Sequence, residues 1–120
     1  MNQREINPTN IRTVSSFMIS LITAALTCQL STMNKPEFYT ANIAAVNSQG
    51  KSKLTLTYTY YGAALDYKYI LIQDKDQLSG KDKKGVTVVV KNIKKTNDRE
   101  YSLTIESSKE GRLQMNCSSQ

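Results

Sequence analysis

The chain has 120 residues, with 16 Lys and Arg against 10 Asp and Glu for a formal net charge of +6, two Cys, and neither His nor Trp. A chain of that length holds one domain. The missing His excludes Ser–His or Cys–His catalysis and His-ligated metal sites within it. Two Cys cannot build a Cys-only zinc site or a disulfide-dense scaffold. An apolar share of 39% and a charged share of 22% fit a folded chain rather than a disordered one.

Between Arg12 and Lys35 no residue is charged, and residues 1–34 are set apart as a hydrophobic N-terminal segment. Three readings compete for it. As a secretory signal peptide it has Arg4 and Arg12, an apolar run from Val14 to Leu26, and Thr23-Ala24-Ala25 as a small-x-small cleavage site before Leu26. As a membrane anchor or tether, residues 13–34 approach the length that spans a bilayer, although their many Ser and Thr make a weak span. As a helix packed on the sheet, Ser16, Ser20, Thr23, Thr27 and Ser31 gather into one polar stripe, and Asn7-Pro8 supplies a start signal.

From residue 35 to 120 the period becomes two. Phe38 to Val46, Leu54 to Tyr60, Tyr67 to Leu71, Val86 to Val90, Tyr101 to Ile105 and Leu113 to Cys117 alternate apolar and polar, giving about six half-buried strands. Turn clusters separate them: Asn47 to Gly50, Gly62-Ala63-Ala64, the stretch Asp74 to Gly85, Thr96 to Asp98, and Ser107 to Gly111. Short connections imply antiparallel neighbours. The expected fold is mainly β, an antiparallel sandwich or small barrel preceded by the N-terminal hydrophobic helix.

Cys28 and Cys117 lie near opposite ends of the β-rich part. In an exported protein they would form a disulfide worth roughly 4–5 kcal/mol by closing a long loop. The alternatives are two buried thiols in a reducing compartment, or lipidation of Cys28, for which Ala25-Leu26-Thr27 is a poor leader.

Most candidate chemistry fails inspection. Gly80 to Gly85 has the outer glycines of a phosphate-binding loop, but Val86-Thr87 follows where Lys and Ser/Thr are required. Asp74, Asp76 and Asp82 resemble calcium-loop spacing, but Leu78 and Gly85 occupy ligand positions. Asp66 with Asp74 would be a possible carboxylate pair with nothing to place it across a cleft. No nucleophile–base set survives, so neither an enzyme, a metal site nor a cofactor is expected.

Two features remain. Lys81, Lys83, Lys84, Lys91, Lys94 and Lys95 stand against Asp82 alone, a basic segment that serves an anionic partner or merely solubilises strand ends. Tyr58, Tyr60, Tyr67 and Tyr69 follow the core parity, whereas Tyr61, beside Gly62, is the ring expected to be exposed at a hairpin tip. The expectation is a non-catalytic, exported (periplasmic or secreted) or membrane-tethered β-domain that binds a macromolecular partner, a protein or an anionic surface, in the manner of an inhibitor, immunity, adhesive or assembly subunit. A cytoplasmic single-stranded nucleic-acid-binding barrel ranks behind it. A structural subunit assembling through a retained N-terminal helix is the third reading.

Overall fold

The computed structural model describes residues 22–31 and 37–119 of the chain. Residues 1–21, which carry most of the segment read as a signal peptide, anchor or packed helix, lie outside the described residues.

Eight antiparallel strands form a closed barrel in chain order: β1 (Leu26–Leu30), β2 (Glu37–Ile43), β3 (Lys51–Tyr60), β4 (Ala63–Asp74), β5 (Gln77–Lys81), β6 (Thr87–Lys95), β7 (Glu100–Ser107) and β8 (Gly111–Ser119). Every strand pairs with its neighbour in sequence, and β1 closes on β8. This decides between sandwich and barrel, and it corrects the expected six strands to eight.

The two additional strands had been hidden for different reasons. β1 falls inside the segment 1–34, where the spacing of Ser and Thr suggested a helix. Yet Leu26-Thr27-Cys28-Gln29-Leu30 alternates with period two, and Leu26 and Cys28 are buried. The β-domain set at 35–120 therefore takes in β1 as well. β5 lies in the stretch Asp74 to Gly85 read as a loop, because its only large apolar residue is Leu78, which is fully buried.

Inward-facing residues fill the barrel. Leu26 and Cys28, Ala41 and Ile43, Leu54 and Leu56, Tyr69 and Leu71, Leu78, Val88 and Val90, Leu103 and Ile105, and Met115 and Cys117 form one cluster. An eight-stranded barrel has an interior just wide enough for such filling. On β6 the alternation shifts after Val90. A register irregularity between Lys91 and Lys94, with Asn92 at φ 54°, brings Ile93 against the core, as a bulge inserts one residue and restores the apolar face.

The up-and-down topology gives the barrel two distinct ends. The β2–β3, β4–β5 and β6–β7 connections share the floor with Ile22, which is 0% exposed and whose carbonyl accepts a hydrogen bond from the Val46 N–H at 2.9 Å. The β3–β4, β5–β6 and β7–β8 turns share the mouth. Cys28 and Cys117, directly opposed on β1 and β8, are joined by a disulfide with Cα atoms 4.0 Å apart. Of the three readings of the cysteines, the disulfide holds.

Candidate binding surface at the barrel mouth

The β3–β4 hairpin turns on Tyr61 and Gly62, at φ 49° and 85°, with Tyr60 opposite Ala63. Two central residues with positive φ are the two-residue turn that matches strand twist, a turn in which Asn, Asp and Gly are favoured. The expected turn Gly62-Ala63-Ala64 is thus displaced, and Ala63 and Ala64 belong to β4. A tyrosine in the left-handed region costs about 1–2 kcal/mol relative to ordinary backbone, and the residue is 71% exposed, so little burial offsets that cost.

The tyrosines grade from the barrel outward along this hairpin. Tyr39 and Tyr58 have ring centroids 4.9 Å apart, Tyr58 and Tyr60 6.4 Å, and Tyr60 and Tyr61 4.5 Å in an edge-on contact. Of the rings assigned to the core by parity, Tyr69 is buried, Tyr58 and Tyr67 are half-buried, and Tyr60 is 49% exposed. Parity sets the direction of a side chain, but the hairpin overruns the barrel, so inward-facing residues near its tip meet solvent. Leu65, paired with Tyr58 and 59% exposed, is the clearest case. Nothing in its local pattern marks it out, since it shares the parity of Tyr67 and Tyr69.

The β7–β8 turn anchors the base of this array. The Tyr39 hydroxyl donates to Glu110, and the Lys109 ammonium lies 5.2 Å from the centroid of the Tyr67 ring. Burial, followed by the hydrogen bond and charge of Glu110, pushes the Tyr39 phenol well above its ordinary value. Tyr69 shifts the same way, chiefly through burial and then the nearby Asp82. Both phenols stay neutral and able to donate hydrogen bonds at physiological pH.

The six lysines of the basic segment do not form one patch. Lys81, at the end of β5, and Lys83 and Lys84, in the β5–β6 loop, belong to the mouth, and Lys94 and Lys95 to the floor end of β6. Lys91 lies between the two groups and pairs with Glu106 at 2.7 Å. Lys83 and Lys84 are joined instead by Lys68 and Lys109, absent from the sequence expectation because they come from distant turns and strands. These four, with Asp66, Asp82, Tyr67, Tyr69 and Val86, line a cleft of about 290 Å³ beside β4. Asp82 is spent on its own loop, accepting from the Lys84 and Val86 N–H groups at 2.8 and 2.9 Å. Asp66 accepts from the Thr57 hydroxyl at 2.7 Å.

Asp74 and Asp76 sit at the floor while Asp82 is at the mouth, so the three do not converge. Asp66 and Asp74 likewise occupy opposite ends of β4. No group of three or more His, Cys, Asp or Glu able to hold a metal ion occurs among the described residues. Compared with family models, with curated proteins and with solved structures, the chain has no match in any of the three.

Proposed function

We propose that the protein is an exported, non-catalytic β-barrel that binds a protein partner through its tyrosine hairpin. The observation that carries this reading is Tyr61, a large exposed ring held in a backbone conformation that favours Asn or Gly. Strain retained at a largely exposed residue is a mark of a functional position. Tyr60 and Leu65 extend the surface around it, with the aromatic character typical of contact hot spots. The Cys28–Cys117 disulfide is consistent with an oxidising, extracytoplasmic environment. The division of the lysines between the two ends of the barrel favours a protein over a nucleic-acid strand tracking one basic groove.

The test places a photo-crosslinking phenylalanine analogue at position 61 and, separately, at Asp98 on the floor, and exposes each barrel to envelope extract of the native host. A discrete adduct at position 61 that is missing at 98 and lost in Tyr60→Ser supports the reading. Equal labelling at both positions, or indifference to Tyr60→Ser, overturns it.

A further inference from the structure

The wall of the barrel is incomplete beside the hairpin. β4 pairs with β3 from Ala63 opposite Tyr60 to Ile72 opposite Lys51, but with β5 only from Leu71 opposite Gly80 to Asp74 opposite Gln77. Beyond Gly80, β5 stays with β6, Lys81 opposite Thr87, and leaves β4. Gly80 marks the parting point, because its backbone lies so close to the Ile70 carbonyl that a Cβ there would overlap it. Among the described residues, β4 from Ala63 to Tyr69 has no strand partner on this side.

The direction of its backbone groups follows from one hydrogen bond. The Gln73 N–H donates to the Gly50 carbonyl at 2.7 Å, on the β3 side. Successive residues of a strand aim their peptide groups to alternate sides. The N–H and C=O groups of Ala64, Asp66 and Lys68 therefore face the split. Across it lies the β5–β6 loop, and the cleft between them is the one lined by Lys68, Lys83, Lys84 and Lys109. Its two aspartates already accept hydrogen bonds within the barrel.

We propose that this split receives an extended acidic segment of the protein partner, added as a strand to the free edge of β4, a mode in which main-chain hydrogen bonds give affinity and side-chain pockets give specificity. The proposal rests on the protein-binding reading of the hairpin and names the chemistry of the bound segment. Charge selects this occupant over two others. A second copy of the chain, itself at +6, would set the same lysines against each other across a two-fold axis. Residues 1–21 carry Arg4 and Arg12 against Glu5 alone, and so offer no acidic strand.

The probe is an acetylated, amidated peptide of alternating Val and Glu, about eight residues long, titrated into the full chain with its disulfide intact while backbone amide resonances are followed. Saturable shifts are expected at Ala64, Asp66 and Lys68. N-methylation of alternate peptide nitrogens, or replacement of Glu by Lys, is expected to weaken binding about tenfold or more. Lys68→Pro, which removes one N–H from the unpaired edge of β4, where Pro breaks no ladder hydrogen bond, is expected to weaken it about tenfold, and Lys68→Gln only about threefold.

Absence of saturable binding at millimolar peptide, or binding that survives N-methylation, overturns the proposal, and so does equal competition by an oligothymidylate. Shifts confined to Tyr60 and Tyr61 would overturn strand addition while leaving the hairpin reading standing. Failure of crosslinking at position 61 with intact binding at the β4 edge would do the reverse.

Discussion

The barrel has two seams of opposite character. Where the first and last strands of the barrel meet, β1 and β8 pair from Leu26 opposite Ser119 to Leu30 opposite Met115, with a disulfide at the centre. Between β4 and β5, consecutive strands joined by the two-residue turn Lys75-Asp76, pairing stops at Gly80 and the wall opens. Continuity in sequence does not decide where a closed sheet is tight. The long-range seam is fastened covalently, and the local one is left open beside the exposed tyrosines.

The largest expected effect concerns the fastened seam. With the cysteines 89 positions apart, Cys28→Ala with Cys117→Ala should lower unfolding free energy by about 4 kcal/mol. Urea unfolding, with and without reductant, measures it. Equal midpoints in the two conditions would show that the seam closes without its bridge. The next effect lies at the floor. A chain beginning at Leu26 keeps all eight strands and both cysteines but lacks the buried Ile22, and should be less stable than one beginning at Ile22 by about 2–4 kcal/mol.

Gly80→Ala sharpens the contrast at the open seam. Overlap with the Ile70 carbonyl should cost about 1–3 kcal/mol. It should also speed amide exchange at Ile72 more than at Gln29, whose N–H faces β8, lengthening the split while sparing the β1–β8 seam. Tyr61→Asn has the opposite sign. Relief of the left-handed strain should raise stability by about 1 kcal/mol while abolishing crosslinks trapped from the neighbouring position 60. A destabilised Tyr61→Asn barrel would show that the ring supports the fold.

The smallest effect is electrostatic and lies on the barrel exterior. Lys91, by hydrogen bond and then by charge, with a further contribution from Arg112, holds the Glu106 carboxyl below its ordinary value. A depressed folded-state value adds stability above the ordinary carboxylate range, and that stability is lost as pH falls through the depressed value. Glu106→Gln should therefore differ from the parent protein near neutral pH and converge with it in acid, as followed by melting temperature across a pH series.

Much of the fold was legible in the sequence because a half-buried strand writes its period directly. Leu54-Thr55-Leu56 and Tyr101-Ser102-Leu103 needed no tertiary information. β5 was not legible, since Leu78 and a glycine are too few to mark a period. β1 was obscured by hydroxyl residues whose spacing also suits a helix. At the candidate surface, Tyr61 could be picked out because its parity opposed that of its neighbours. Leu65, Lys68 and Lys109 could not, because their roles depend on how far the hairpin overruns the barrel and on which turns gather at one end. The six-lysine cluster failed as a unit for the same reason: neighbouring turns in sequence alternate between opposite ends of an up-and-down barrel.

The pairing of Cys28 with Cys117 also orders events in time. Each hairpin of the meander forms by closing a short loop, whereas β1 reaches β8 only after every intervening strand has been laid down, the contact that topology makes slowest. Native oxidation at this position is therefore a record of completed assembly. A pulse of thiol-blocking reagent during refolding would find both cysteines reactive until the barrel rounds, and then neither.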